Sequence, residues 1–225
     1  MKPLILIDVS NLLYRFYYAA GLDNAYSAFI DVVEGYKEKG EVLLIFDSPE
    51  SKNVRKALYP EYKANRKPMD EDIRKLFSLV SKIDMKKFRN PKYEADDLIY
   101  QAVNHFKDRN IVIVSNDSDL QALIRKNVII DKGKNTYIKE RDLKEKYNTN
   151  RPLMEFIQVR KALVGDSSDN IKGVSGIGKV KSLKVIENVE DDKPLYEGVL
   201  EQLNKKEQEE FKLSYSLIKF LDRED

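Results

Sequence analysis

The chain has no cysteine, no tryptophan and a single histidine, His105, in 225 residues. Without cysteine there is no disulfide framework, no thiol nucleophile and no thiolate zinc site, and a reducing compartment suits the protein. One histidine without cysteine also makes triad-type nucleophilic catalysis improbable, and His105, inside a helix-patterned stretch, reads as structural. Long apolar runs are missing too. The N-terminal "MKPLILIDVSNLLYRF" meets Asp8 too early for a signal peptide, and no segment approaches membrane-spanning length. A soluble, cytoplasmic protein with no membrane partner is expected. Nor does one sign of charge dominate: 40 Lys+Arg against 38 Asp+Glu leave a net charge of +2 although 35% of residues are charged. The distribution of charge must therefore say more than its total.

What is present is a chain long enough for a sizeable core, patterned as alternating strands and helices. "LILID" (Leu4 to Asp8), "VLLIFD" (Val42 to Asp47) and "IVIVSND" (Ile111 to Asp117) read as buried strands, each ending in an aspartate. "NVIID" reads as a fourth strand, followed by a "KGKN" turn. Helical stretches separate them, which implies an α/β fold with a mainly parallel sheet flanked by helices. In such sheets, sites form beyond the carboxyl ends of the strands, so Asp8, Asp47 and Asp117 are expected on one edge.

"YPEYKANRKPMDEDIRKLFSLVSKI" departs from this pattern, because Pro60 and Pro68 bracket a basic patch ahead of an amphipathic helix. From Arg151 onward the pattern is helical. One domain, 1–225, is expected: an α/β core over 1–150 that includes an excursion at about 60–90, and a helical subregion over 151–225.

Further carboxylates crowd the chain: Glu94, Asp96 and Asp97 in "EADD", Asp119 in "NDSD", and Asp166 and Asp169 in "GDSSDN". Two unit charges about 4 Å apart repel by roughly 4 kcal/mol at an effective dielectric near 20, so nine acids on one rim call for bound cations. Oxygen-only ligands select hard ions such as Mg²⁺ or Mn²⁺, and a pair of such ions can activate water and hold both oxygens of a phosphodiester exchange. Each carboxylate alone also has an ordinary reading, as a helix cap, a dipole partner or a strand terminator. "GVSGIGKV" fits a P-loop poorly, because Val180 stands where Ser or Thr would hold Mg²⁺. It reads better as a tight hairpin between helices, with Gly176 and Gly178 allowing close approach and Lys179, Lys181 and Lys184 forming a basic face; an ordinary glycine turn is the alternative.

The ordered motifs "ILIDVSNLLYRFYYA", "LLIFDSP", "YKANRKPMDEDIR", "EADDLI", "SNDSDLQALI" and "ALVGDSSDNIKGVSGIGKVKS" resemble those of the 5′-nuclease family. This family comprises flap endonucleases, phage 5′-exonucleases and the N-terminal nuclease domain of bacterial DNA polymerase I; the motifs favour a likeness to the last, and no polymerase domain is expected to follow. The resemblance implies a PIN-like core with a helical arch and a C-terminal helix-hairpin-helix. It places Asp8, Asp47, Glu94, Asp96 and Asp97 around one metal position and Asp117, Asp119, Asp166 and Asp169 around another. Lys63 and Arg66 would polarise the scissile phosphate, both on one face of a helical turn in the arch, and Arg15 would contact phosphate near the metals. Tyr62 and Lys67, with Gly176, Gly178, Lys179 and Lys181 of the hairpin, would contact DNA, Tyr62 by stacking on a base. Backbone carbonyls around Val174 and Ile177 would take K⁺.

The arch, from Tyr62 to Arg89, is compact beside larger relatives, which leaves threading of a free 5′ end open. The implied activity is structure-selective hydrolysis of branched, 5′-flap or 5′-ended DNA by a monomer in replication or repair, with RNA–DNA hybrids as a further substrate. The alternatives are a catalytically silent junction-binding module and a PIN-like metal-dependent ribonuclease.

Overall fold

The computed structural model describes residues 2–223; Met1 and residues 224–225, the ends of the expected domain, lie outside the described residues. Two compact units are distinguished. The first comprises residues 1–52, 67–143 and 221–225, and the second residues 53–66 and 144–220. The helical unit thus begins near residue 144 rather than 151, and it also takes up part of the excursion expected to belong to the α/β core.

The first unit is built on a six-stranded sheet: β1 (Leu4–Asp8), β2 (Glu41–Ile45), β3 (Lys87–Phe88), β4 (Ile111–Val114), β5 (Val128–Asp131) and β6 (Tyr137–Ile138), in the order β3-β2-β1-β4-β5-β6. All pairings are parallel except β5 with β6. Central β1 is buried at all five positions, as a strand covered on both faces must be, which explains its unbroken apolar run. The chain leaves β1 toward β2 and β3 on one side, while β4 and β5 lie on the other. The order therefore reverses between β1 and β4, where α/β sheets open a crevice.

Helix α1 (Val9–Lys39) is interrupted at Gly21, whose φ of 73° and ψ of 176° break the helical path. Its buried Phe29 and Val33 pack with Leu76 and Val80 of α3 (Glu71–Ser81) in one apolar cluster. Helix α4 (Ala95–His105) begins with a reciprocal capping box between Glu94 and Asp97. His105 at its end is exposed and meets Phe106 edge-on, with 4.6 Å between ring centres. The short 3₁₀ turn Asp119–Leu123 follows β4.

The second unit gathers α2 (Asn53–Leu58), the end of α5 (Glu140–Tyr147), α6 (Leu153–Val164), α7 (Lys179–Glu187), α8 (Leu195–Gln202) and α9 (Lys205–Ile218). Phe156, Val159 and Leu163 of α6 are buried with Leu195, Val199 and Phe211 in its core. Arg55 of α2 is buried and donates to the carbonyls of Leu217 and Lys219 at 2.8 and 3.0 Å, pinning the C-terminal end of α9.

Candidate active site

In the first unit, the sheet brings the expected strand-end acids to one edge. Asp8 is buried and caps α1 by accepting from the Asn11 amide at 3.0 Å, while its other oxygen accepts from Ser115 Oγ at 2.9 Å. Ser115 stands just after β4, so this bond crosses the point where strand order reverses. Asp47 accepts from Ser10 Oγ at 2.6 Å and from the Ala95 amide at 2.9 Å, which joins the ends of β1, β2 and α4. Asp117 receives the Asp119 amide at 2.8 Å, and its own amide donates to Ser115 Oγ.

These acids repel one another. Burial, then the charges of Asp47 and Asp117, push the Asp8 carboxyl up to about 7 in spite of its hydrogen bonds to Asn11 and Ser115. Burial, then Asp117, Asp8, Asp119 and Asp47, hold Asp96 well above the usual carboxylate range. No cationic side chain is among the groups that act on either residue most strongly. Yet among the described residues no three His, Cys, Asp or Glu side chains form a ready-made cage for an ion. Asp8 is buried, whereas Asp47, Asp96, Asp117 and Asp119 are partly exposed.

Asp97 has a different position from the one expected. It is fully buried, with its oxygens accepting from the backbone amides of Glu94 at 3.1 Å and Leu221 at 2.9 Å. The structure gives it the helix-capping role that "EADD" equally permitted, together with an anchor for the C-terminal strand of chain. Glu94 is its capping partner.

Asp166 and Asp169 belong to the second unit, where cations neutralise them. Lys161 Nζ lies 2.6 Å from Asp166, and Ser168 donates to the same carboxylate through its amide and hydroxyl at 2.8 and 2.7 Å. Burial alone would raise this carboxyl, but Lys161 and Ser168 outweigh it and hold the pKa below the usual range. Asp169 faces Arg66 at 2.5 Å, Lys63 at 3.7 Å and the Tyr62 hydroxyl at 3.2 Å. The two chain segments are also joined through their backbones, by Lys63 N to the Asp169 carbonyl at 2.9 Å, Asn65 to the Ser167 carbonyl and Asn170 to the Glu61 carbonyl.

This zipper corrects two expectations. Lys63 has φ of 55°, so no helical turn carries it and Arg66; the left-handed residue redirects the chain, and it is Asp169 that brings both cations together. Tyr62 is buried at 2% exposure against Ile171 and Leu217, and its ring is covered instead of presented for stacking. Lys67 is exposed.

Between α6 and α7 the chain turns through residues 165–178. The glycines that packing demands here are Gly165, which sequence reasoning overlooked, and Gly173, which it noted only as the first glycine of a poor P-loop match. With φ of +86° and +71°, a β-carbon on the first would lie 2.5 Å from the Ile171 carbonyl, and one on the second 2.4 Å from Gly165 N. Gly176 and Gly178, the residues singled out from the sequence, instead border open space. Lys179 and Lys181 are exposed at the first turn of α7. Val174 and Ile177 are buried in the core, and the Val174 carbonyl accepts from the Ile177 amide at 3.0 Å. Ser175 at the tip donates its amide and hydroxyl to Glu210 of α9 at 2.7 and 2.9 Å.

Arg15 lies on α1, with Nη1 donating to the Lys132 carbonyl at 2.9 Å. It lines a groove shared with Asn116, the residue before Asp117, and so sits beside the rim.

Residues 3–148 match the profile of the 5′-3′ exonuclease N-terminal, resolvase-like domain. Over 220 residues the chain is 33% identical to DNA polymerase I of Caldicellulosiruptor bescii, matching 87% of this chain and 25% of that protein. It is 32% identical over 220 residues to the 5′-3′ exonuclease of Buchnera aphidicola from Acyrthosiphon pisum, matching 88% of this chain and 74% of that one. The chain thus spans about a quarter of the polymerase and about three quarters of the exonuclease. Among solved structures, the bacteriophage T5 D15 flap endonuclease in a pseudo-enzyme-product complex with DNA and metal ions shares the fold, with a TM-score of 0.71 at 22% identity over 96% of this chain and 85% of that one. The capped, acid-lined switch point, the profile match and these relatives have one reading: the chain belongs to the 5′-3′ exonuclease family and carries its N-terminal resolvase-like domain.

Proposed function

We propose that the protein is a divalent-metal-dependent 5′ nuclease that hydrolyses phosphodiesters of branched or 5′-ended DNA. The observation that carries this reading is the set of mutually repelling acids at the sheet's switch point, with Asp8 and Asp96 forced toward protonation and no basic side chain prominent in relieving them. An all-oxygen donor set of this kind fits Mg²⁺ or Mn²⁺. Partly exposed carboxylates that form no closed cage fit Mg²⁺ in particular, which binds through one or two carboxylates and keeps waters and substrate phosphate as its other ligands. Asp8, Asp47, Asp96, Asp117 and Asp119 would hold the ions, whose chemistry is to lower the pKa of a bound water and neutralise the phosphodiester.

The chain's own residues do the rest. Ser115, Ser10 and the amides of Asn11 and Ala95 fix the rotamers of Asp8 and Asp47, so that the rim is organised before substrate arrives. The bare glycines Gly176 and Gly178 and the exposed Lys179 and Lys181 grip a duplex backbone without reading its bases. Lys63 and Arg66 supply positive charge to the phosphoryl oxygens once they leave Asp169. Asp166 and Asp169, which the resemblance implies as metal ligands, are instead neutralised within the second unit by Lys161 and by Lys63 with Arg66.

The test compares a DNA 5′-flap duplex, its RNA-flap counterpart and a matched single strand, each with Mg²⁺, Mn²⁺ or EDTA. Cleavage of the flap duplex in either metal, abolished by EDTA, is expected. Tight binding without turnover would instead identify a silent junction-binding module, and preference for single-stranded RNA a ribonuclease.

A further inference from the structure

A groove of about 690 Å³ lies in the first unit between α1 and the turn joining β5 to β6, and of its lining residues only Arg15 has a role that the resemblance implies. Four cations line it, Arg15, Lys39, Lys132 and Lys134, against one carboxylate, Asp31. Its floor is fixed: Tyr36 is buried and donates to Asp131 Oδ2 at 2.8 Å, and Asp131 Oδ1 accepts from the Gly133 amide at 2.7 Å. Residues 133–135 are then turned by three successive positive φ angles, 84°, 50° and 58°. This tight reversal carries Lys132, partly exposed, and Lys134, exposed, on one short turn. Gly133 also makes room for Arg15, since a β-carbon there would lie 3.3 Å from Nη2.

The arrangement selects an extended anion. The groove has far more volume than a single phosphate needs, and Phe16, Ala19 and Val32 give it an apolar wall, which suits the sugar and base that accompany a phosphate. Among the described residues, Lys132 and Lys134 have no carboxylate partner, while Lys39 lies over the Tyr36 ring at 5.3 Å. At one end the groove reaches Asn116, whose amide is held by Asn11 Oδ1 at 2.9 Å and which directly precedes Asp117 of the rim. The basic channel therefore begins next to the rim.

We propose that the groove binds the sugar–phosphate backbone of a nucleic-acid strand, with Lys39, Lys132 and Lys134 as phosphate contacts and Arg15 linking the channel to the rim. The inference rests on the nuclease reading above and extends it to a second, metal-independent contact region.

The test is the salt dependence of affinity in EDTA, measured by fluorescence anisotropy with a flap duplex and a single strand. Two lost phosphate contacts should lower the slope of log affinity against log salt by about 1.4 to 1.8. Lys132→Ala/Lys134→Ala should show this change, while the charge-matched control Lys107→Ala/Lys126→Ala, at the opposite end of the strands, should change the slope by less than about 0.5. Equal changes in both pairs, or none in the groove pair, would overturn the proposal. Competition by dAMP as strong as that by an oligonucleotide of equal phosphate concentration would also overturn it, because the groove would then be a small-anion pocket. Because the chain lacks cysteine, Lys134→Cys and Lys126→Cys can each carry a photo-crosslinker, and only the first should capture DNA. Wild-type protein that binds no DNA at all would sink the nuclease reading itself, whereas metal-dependent cleavage with an unaltered groove-pair slope would sink the groove alone.

Discussion

Arg66 donates to Asp169 at 2.5 Å, so an arginine expected to face phosphate holds a carboxylate expected to face metal. Lys63 shares the same carboxylate at 3.7 Å. The Arg66 side chain is 55% exposed, and Asp169, itself 13% exposed, keeps Lys63 and the Tyr62 hydroxyl when Arg66 is removed, so this arginine contributes little to stability. Its charge is worth more on substrate. Arg66→Ala should therefore leave the melting temperature nearly unchanged and cut the single-turnover rate by about two orders of magnitude, with affinity in Ca²⁺ altered much less. Collapse of affinity at a near-normal saturated rate would make Arg66 a tether.

The crowded rim makes a prediction about the metal-free protein. Asp96 is held well above the usual carboxylate range by burial, then by Asp117, Asp8, Asp119 and Asp47, so removing its charge relieves repulsion. Asp96→Asn should raise the melting temperature in EDTA at pH 8. Wild type should gain about 2.7 kcal/mol when Mg²⁺ is added at a hundred times its dissociation constant, and the variant should gain much less. A variant less stable in EDTA, with the full Mg²⁺ gain, would contradict the rim's role.

The two kinds of glycine in the α6–α7 turn should behave differently. Gly173→Ala combines a positive φ with a backbone clash against Val164 and Gly165, and should cost more than about 2 kcal/mol or prevent folding. Gly176 has φ of +75° and open space, so Gly176→Ala should cost about 1 to 2 kcal/mol. Urea denaturation compares them, and equal losses would refute the packing role of Gly173.

Glu210 orders the turn tip through Ser175, whose amide and then hydroxyl hold its carboxyl below the usual range. A depressed folded-state value means that this ordering is present above the unfolded pKa and is lost as pH falls through the lower, folded one. Hydrogen exchange at the Ser175 amide should accelerate in Glu210→Gln at pH 6, once corrected for intrinsic rates, while amides in the middle of α6 stay protected. Unchanged Ser175 protection would remove Glu210 from this role.

Much of the rim was legible because buried parallel strands have a simple signature. Unbroken apolar runs ending in Asp8 and Asp47, and another running on to Asp117, imply a shared edge without knowledge of contacts. Asp97 was harder to read, since a carboxylate in the first turn of a helix suits a cap and a ligand equally, and only its two amide partners separate these roles. Tyr62 was misjudged because an aromatic in a basic segment gives no sign of burial; its partners Ile171 and Leu217 lie more than a hundred residues away. The strands β3 and β6 have two residues each, too few for any periodicity. Gly165 drew no notice and Gly173 counted only toward a poor P-loop match, because a backbone meeting across eight residues leaves no local pattern.

Asp117→Asn tests metal-dependent hydrolysis most directly, since it keeps an oxygen for the Asp119 amide while removing a charge from the rim. The measurement is single-turnover cleavage of a 5′-flap duplex in Mg²⁺, with affinity for the same DNA taken in EDTA. Cleavage abolished while affinity stays within a few fold of wild type is the predicted result; full cleavage by the variant, or equal cleavage by wild type in EDTA, would contradict it.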